Sequence, residues 1–216
     1  MGAAVSREPV RVLAPNPGPM TLEGTNTWVL AGTTGSVVID PGPLDEAHLA
    51  AVAEAATAIG PVSAVLLTHG HADHTEGVRR FVELVGGPPV RAYDRAFGEP
   101  LDDDSEVEGV RVVHVPGHTA DSLAFWLPAE RVLFSGDTVL GRGTSVVADP
   151  DGALGPYLMS LRRLHAMASA GEIARILPGH GPVVDDPLGV LDFYLAHRAE
   201  RLQQVRAAVA AGARSA

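Results

Sequence analysis

Short apolar runs broken by turns, interleaved with four longer stretches of helical period, occupy nearly the whole chain. Runs rich in Val, Ile and Leu predict strands at Val10–Leu13, Thr27–Ala31, Ser36–Ile39, Ala64–Leu67, Val90–Tyr93, Arg111–Val115, Ala124–Leu127, Arg131–Phe134 and Arg175–Leu177. Apolar positions three and four apart predict helices over Asp45–Ile59, Asp73–Val85, Pro156–Ala170 and Pro187–Ala211. The last helix carries a stripe of Leu188, Leu191, Leu195, Leu202 and Val205, expected to pack on the body of the protein. The acidic run Asp102–Glu108 is expected to be a solvated loop. With no repeat of solenoid length and no linker, the expectation is one domain over 1–216, with 187–212 as a C-terminal helical extension packed on it.

Five of the apolar runs end in the same way, in a turn that holds a glycine and a side chain able to bind a metal: VVIDPG (37–42), AVLLTHGH (64–71), VVHVPGH (112–118), VLFSGD (132–137) and ILPGH (176–180). Strands that finish so can set their last polar residues along one edge of a sheet, on loops held by a rigid scaffold. Five separated segments are thereby expected to build one site.

Composition narrows the chemistry. The 216 residues include no cysteine, which removes disulfides, thiolate ligands and a cysteine nucleophile. All 16 basic residues are arginine, so lysine Schiff-base chemistry and a P-loop are excluded. A net charge of −10 disfavours nonspecific binding to nucleic acid or an anionic membrane, although a site holding divalent ions is locally positive. No apolar stretch reaches the roughly 18 residues a membrane helix needs. Residues 1–19 lack the apolar core of a secretory signal, so a cytoplasmic location is the default expectation.

The densest chemical signal is Thr68-His69-Gly70-His71-Ala72-Asp73-His74, four metal-competent side chains directly after an apolar strand. Imidazole nitrogens and carboxylate oxygens bind zinc at about 2.0–2.2 Å, and such crowding is useful only around cations. In an extended segment His69 and His71 point to one side, while Asp73 and His74 open a helix and turn toward a second position. His118, Asp137 and His180 follow, each after a glycine. His48, His114 and His165 lie within predicted helices or a strand and are expected to be structural. Asp40, after VVI, is placed either to orient a ligand histidine as a hydrogen-bond acceptor or simply to make the turn before Pro41.

The HxHxDH sequence, followed by a lone His, a lone Asp and a final His, resembles the metallo-β-lactamase-fold hydrolases. The resemblance implies an α/β fold, a four-layer αββα sandwich with a C-terminal helix and a site at one edge of the two sheets. It further implies two divalent metal ions: His69, His71 and His118 on the first, Asp73, His74 and His180 on the second, with Asp137 bridging. Zinc is the expected metal, and the His and Asp donors also suit manganese or iron. Two such ions about 3.5–4 Å apart supply a bridging hydroxide at neutral pH, with Asp73 and Asp137 as the catalytic carboxylates. No nucleophile elbow appears, so direct attack by hydroxide is expected.

Three further segments narrow the resemblance: Asn16 to Trp28, Gly136 to Ser145, and His197-Arg198-x-x-Arg201 are similar to the β-lactamase-like protein 2 branch, whose animal member is a single-strand endoribonuclease. Single-stranded RNA is accordingly the first substrate expectation. Arg142 and Arg198 are placed to contact phosphate, and Thr25, Asn26 and Thr144 to hydrogen-bond the substrate backbone. Ten aromatic residues leave few platforms for stacking bases. A glyoxalase II-like thioesterase or a lactonase shares all seven ligands and is the alternative. A noncatalytic metal-binding module is a third reading. The expected partners are therefore a small ester or thioester or a short single-stranded RNA, with no membrane and no protein partner.

Overall fold

A computed structural model describes residues 8–212; the first seven residues of the segment read for a secretory signal lie outside them. The first sheet runs in the order β1 (Val10–Leu13), β2 (Asn26–Ala31), β3 (Ser36–Ile39), β4 (Val62–Leu66), β5 (Val90–Ala92), β6 (Glu99–Pro100). The second runs β11 (Arg175–Pro178), β10 (Val132–Gly136), β9 (Leu123–Leu127), β8 (Val110–His114), β7 (Glu106–Val107). The helices are α1 (Glu46–Ile59), α2 (Ala72–Thr75), α3 (Val78–Leu84), α4 (Leu154–Ser169) and α5 (Pro187–Ala210).

Alternation along the strands explains the layers. Trp28, Leu30, Val37, Ile39 and Leu66 of the first sheet meet Val112, Phe125, Phe134 and Leu177 of the second in a central core. Their neighbours Val29, Val38 and Val65 face outward onto Leu49, Val52 and Phe81 of α1 and α3. On the other side, Val113, Ala124 and Leu133 face Tyr157, Leu161, Leu191 and Tyr194 of α4 and α5. Both faces of both sheets are covered, so the strands read as continuous apolar runs. The architecture is the expected αββα sandwich.

Local chemistry sets the helix starts. Asp45 caps α1 by accepting from His48 N at 2.8 Å, and Asp186 caps α5 by accepting from Gly189 N at 3.0 Å, with Pro187 in the first turn. The helix expected over 73–85 is instead two pieces, because Gly77 N donates to Gly42 O of the loop after β3. The acidic run is not merely solvated. It contains β7, and Asp103 Oδ1 accepts from His114 N at 2.8 Å. Only part of the α5 stripe packs: Leu191 is buried and Leu195 lies against the same cluster, whereas Leu188 and Val205 are exposed. No helix among the described residues is long and apolar enough to cross a membrane.

Strand direction positions the site. β3 and β4 are parallel neighbours, as are β10 and β11, and β8 runs the same way as β10 because each is antiparallel to β9. The C-terminal ends of these five strands therefore open along one edge of the sandwich, each in the glycine-containing turn seen in the sequence.

Candidate metal centre

The edge gathers all seven expected ligands. Three sets of donor atoms lie within 4.8 Å of one another: His69, His71 and His118; His69, His74 and Asp137; Asp73, His74 and His180. His71 Nδ1 lies 3.2 Å from His118 Nε2, and His74 Nε2 lies 3.3 Å from His180 Nε2. Asp137 reaches both groups, with Oδ2 3.8 Å from His118 Nε2 and 3.3 Å from His180 Nε2. Asp73 Oδ2 lies 3.2 Å from His180 Nε2. Gly179 permits this approach, since a Cβ there would fall 2.5 Å from Asp137 Oδ1 and 2.8 Å from His74 Cε1.

Each imidazole but one is held from behind. His74 Nδ1 donates to Asp40 Oδ2 at 2.8 Å, His118 Nδ1 to Val146 O at 2.8 Å and His180 Nδ1 to Gly24 O at 3.2 Å. His69 Nδ1 meets Thr68 Oγ1 at 3.0 Å, and that hydroxyl donates to Asp40 Oδ2 at 2.6 Å. Carbonyl and carboxylate oxygens only accept, so Nδ1 carries a proton and Nε2 is the nitrogen turned inward, available to a cation in the neutral ring. His71 is turned the other way and presents Nδ1 to the cluster.

The electrostatics are those of a cluster built around cations. Burial holds His69 well below its ordinary pKa, and burial with His118 beside it lowers His71. Burial also pushes His74 and His180 toward neutrality, but Asp137 and Asp40 raise His74 well above the usual imidazole value. Asp137 and Asp73 raise His180 to about 9. Burial would raise Asp137, yet His74 and His180 keep it well below the carboxylate range; Asp73 is lowered against burial by His180 and His74. Without a cation the carboxylates draw protons onto two histidines. Within the cluster two buried atoms have no hydrogen bond, His69 Nε2 and Asp137 Oδ1, the latter 3.5 Å from His74 Nε2. Buried polar atoms are rarely left so, and nitrogen and oxygen donors aimed at one another fit divalent ions.

Two cavities flank the cluster. One, of about 350 Å³ beside His71, is lined by Gly70, Asp94, Phe97, Asp121, Pro150 and Asp151 among others. The other, of about 180 Å³, touches His118 and Asp137 and includes Met20, Leu22, Leu140, Arg142, Thr144 and Val146 in its lining.

The residues expected to contact substrate divide. Arg142 and Thr144 line the smaller cavity, but Arg142 Nη1 pairs with Glu23 Oε1 at 2.5 Å. Thr25 and Asn26 are buried in the wall. Thr25 Oγ1 accepts from Asn16 Nδ2 at 2.9 Å, and Asn26 Nδ2 donates to Pro178 O and Gly181 O on either side of the turn that carries His180. Arg198 lines neither cavity; it donates to Ser145 O and lies over the Tyr157 ring, 5.1 Å from its centroid. His48, His114 and His165 have partners elsewhere, in Thr27 and Pro41, Tyr93, and Asp192 respectively. The sequence reading missed Val146 O and Gly24 O, since a backbone carbonyl leaves no trace in residue type. Thr68 stood in plain view immediately before the HxHxDH segment.

A model of the metallo-beta-lactamase superfamily matches residues 20–97 and 85–180. A Caenorhabditis elegans protein named beta-lactamase-like protein 2 homolog is 34% identical over 210 residues, covering 90% of this chain and 68% of its own length. An Aspergillus fumigatus protein named atrochrysone carboxyl ACP thioesterase is 40% identical over 188 residues, covering 82% of this chain and 57% of its own. A solved structure of a di-iron-bound protein is similar at a TM-score of 0.66 and 28% identity, over 83% of this chain and 96% of its own. The chain belongs to the metallo-beta-lactamase superfamily, a family of metal-dependent hydrolases.

Proposed function

We propose that this chain is a dinuclear metal-dependent hydrolase of carboxylic esters or thioesters. The observation that carries the reading is the pair of orphaned buried atoms, His69 Nε2 and Asp137 Oδ1, within the ring of donors that opens on the cleft. His69, His71 and His118 would hold one ion, Asp73, His74 and His180 the other, and Asp137 would touch both. Zinc suits these donors, and a relative bound to two irons supports iron as well. Such ions supply hydroxide at neutral pH and polarise a carbonyl oxygen. Asp73, at 28% exposure the more open of the two carboxylates, is the acceptor placed for the proton of the attacking water. Water adds its oxygen to the carbonyl carbon, the carbon–oxygen or carbon–sulfur bond breaks, and a carboxylic acid and an alcohol or thiol leave.

The surroundings move the weight from RNA toward a carbonyl substrate. One cavity carries Asp94, Asp121 and Asp151, and the other is largely apolar, with Arg142 already neutralised by Glu23. Away from the metal ions themselves, a polyanion entering here would meet like charge on one side and an arginine already paired on the other. The similarity to a thioesterase supports the same reading. Phosphodiester cleavage of single-stranded RNA is the second reading, favoured by the position of Arg142 beside His118 and Asp137.

The test offers zinc-loaded protein a neutral acyl ester, a thioester and an end-labelled single-stranded RNA, with Asp137→Ala purified identically. Cleavage of ester and thioester by the wild type alone, with the RNA intact, is expected. RNA cut by the wild type while both acyl substrates survive would overturn the assignment.

A further inference from the structure

We infer that the cleft touching His118 and Asp137 is the acyl-binding subsite of this hydrolase. It is shaped for a short uncharged chain by Met20 and Leu22 on one wall and Leu140 and Val146 on the other. The inference rests on the ester or thioester reading above and names which part of that substrate enters which cavity.

The first wall is built to stay in place. It belongs to the loop at 16–25, whose ends are joined by Asn16: Oδ1 accepts from Thr25 N and Nδ2 donates to Thr25 Oγ1, both at 2.9 Å. Inside the loop, Thr21 Oγ1 donates to Asn16 O at 2.5 Å and Gly18 N to Leu22 O at 3.1 Å. These bonds hold Leu22 at φ +56, a conformation a branched side chain adopts only when its surroundings impose it. Its Cδ1 lies against Gly181, one residue past the ligand His180. The same loop supplies Gly24 O to His180 Nδ1. One rigid segment thus presents an apolar wall and steadies a candidate ligand.

The second wall is continuous with the centre through a different ligand, because Val146 O accepts from His118 Nδ1. Met20 and Val146 are 60% and 47% exposed, apolar surface left at the mouth of a cleft that opens on the metal ligands. Arg142 in its lining pairs with Glu23, so away from the Asp137 end the cleft carries no unpaired charge. At about 180 Å³ the cleft is below the roughly 300–1,000 Å³ of sites for drug-sized ligands, which sets the acyl chain as short. The wider cavity beside His71 is left for the leaving group.

The experiment uses the zinc-loaded full chain and a series of 4-nitrophenyl esters, acetyl, butyryl and octanoyl. Burial of a methylene is worth about 0.8 kcal/mol, so kcat/KM should rise about fourfold for each carbon added from acetyl to butyryl and fall at octanoyl. Met20→Ser and Val146→Ser, both at open positions that tolerate change, should each lower the butyryl-to-acetyl ratio severalfold. A flat series in the wild type, or ratios unaltered in both variants, would overturn the subsite. Titration calorimetry with acetate and butyrate, the hydrolysis products, keeps the question separate from catalysis. Butyrate binding more tightly than acetate, with the preference lost in Met20→Ser, supports the subsite even if no ester is cleaved. Equal affinities overturn it whatever the activity.

Discussion

Asp40 Oδ2 lies 2.8 Å from His74 Nδ1 and 2.6 Å from Thr68 Oγ1, so one buried carboxylate steadies His74 directly and His69 through a hydroxyl. Its other oxygen accepts Thr68 N at 2.8 Å, which fixes the turn leading into the HxHxDH segment. Asp40 sits at φ +51, a conformation that Asn adopts as readily as Asp. Asp40→Asn should therefore fold normally and weaken zinc binding roughly 10- to 100-fold, the usual consequence of losing a partner behind a ligand. Competition with a chromophoric chelator measures this, and an unaltered affinity would remove Asp40 from the account.

Of the proposed ligands His71 has the least structural duty, being half-buried, whereas His69, His74, His118 and His180 are buried. His71→Ala should keep the circular dichroism of the wild type. Its metal content should drop from two ions per chain toward one and hydrolysis should disappear, because one of three donors to the first ion is gone. Retention of both ions, determined by elemental analysis, would mean that the assignment of His71 is mistaken.

Gly117, one residue before His118, is the tightest point between that turn and α4. Its φ is +137, and a Cβ would lie 2.3 Å from both N and Cα of Tyr157. Backbone cannot swing aside as a side-chain tip can. Gly117→Ala should destabilise by about 1–3 kcal/mol or more, and for a chain of this size each kcal/mol lowers Tm by roughly 2–4 °C. Calorimetric melting within one degree of the wild type would contradict the packing described.

Much of this was legible in the sequence for a definite reason. Doubly buried strands such as β3 and β10 appear as unbroken apolar runs, and the candidate ligand side chains are chemically conspicuous at their ends. Two-residue strands have no period, so β6 and β7 were invisible. The break between α2 and α3 depends on Gly77 N meeting Gly42 O, a tertiary bond that no local pattern announces. Residue type also failed to separate polar side chains that face a cleft from those that build its wall. Thr144 lines the cavity, whereas Asn26 is consumed by two carbonyls and Arg198 by Ser145 O and the Tyr157 ring. Arginine in particular reads as phosphate-binding in a sequence whether or not a glutamate waits for it, as Glu23 does for Arg142.

Asp103, within the run expected to be solvated, gives a prediction with a definite pH sense. Burial raises its pKa, but the His114 N–H and the Arg163 guanidinium, 2.8 Å away, outweigh burial and hold it below 3.8. A carboxylate lowered on folding contributes its full stabilisation above the unfolded-state value of 3.8 and loses it as the pH falls through the lower folded value. Asp103 is 43% exposed, so solvent screening limits the ion pair to at most about 1 kcal/mol. Asp103→Asn should therefore unfold at lower urea than the wild type at pH 7, and the gap should close as both are titrated below pH 3.8. A gap of equal size at both ends of that range would show that Asp103 acts through the shape of the turn and not through its charge.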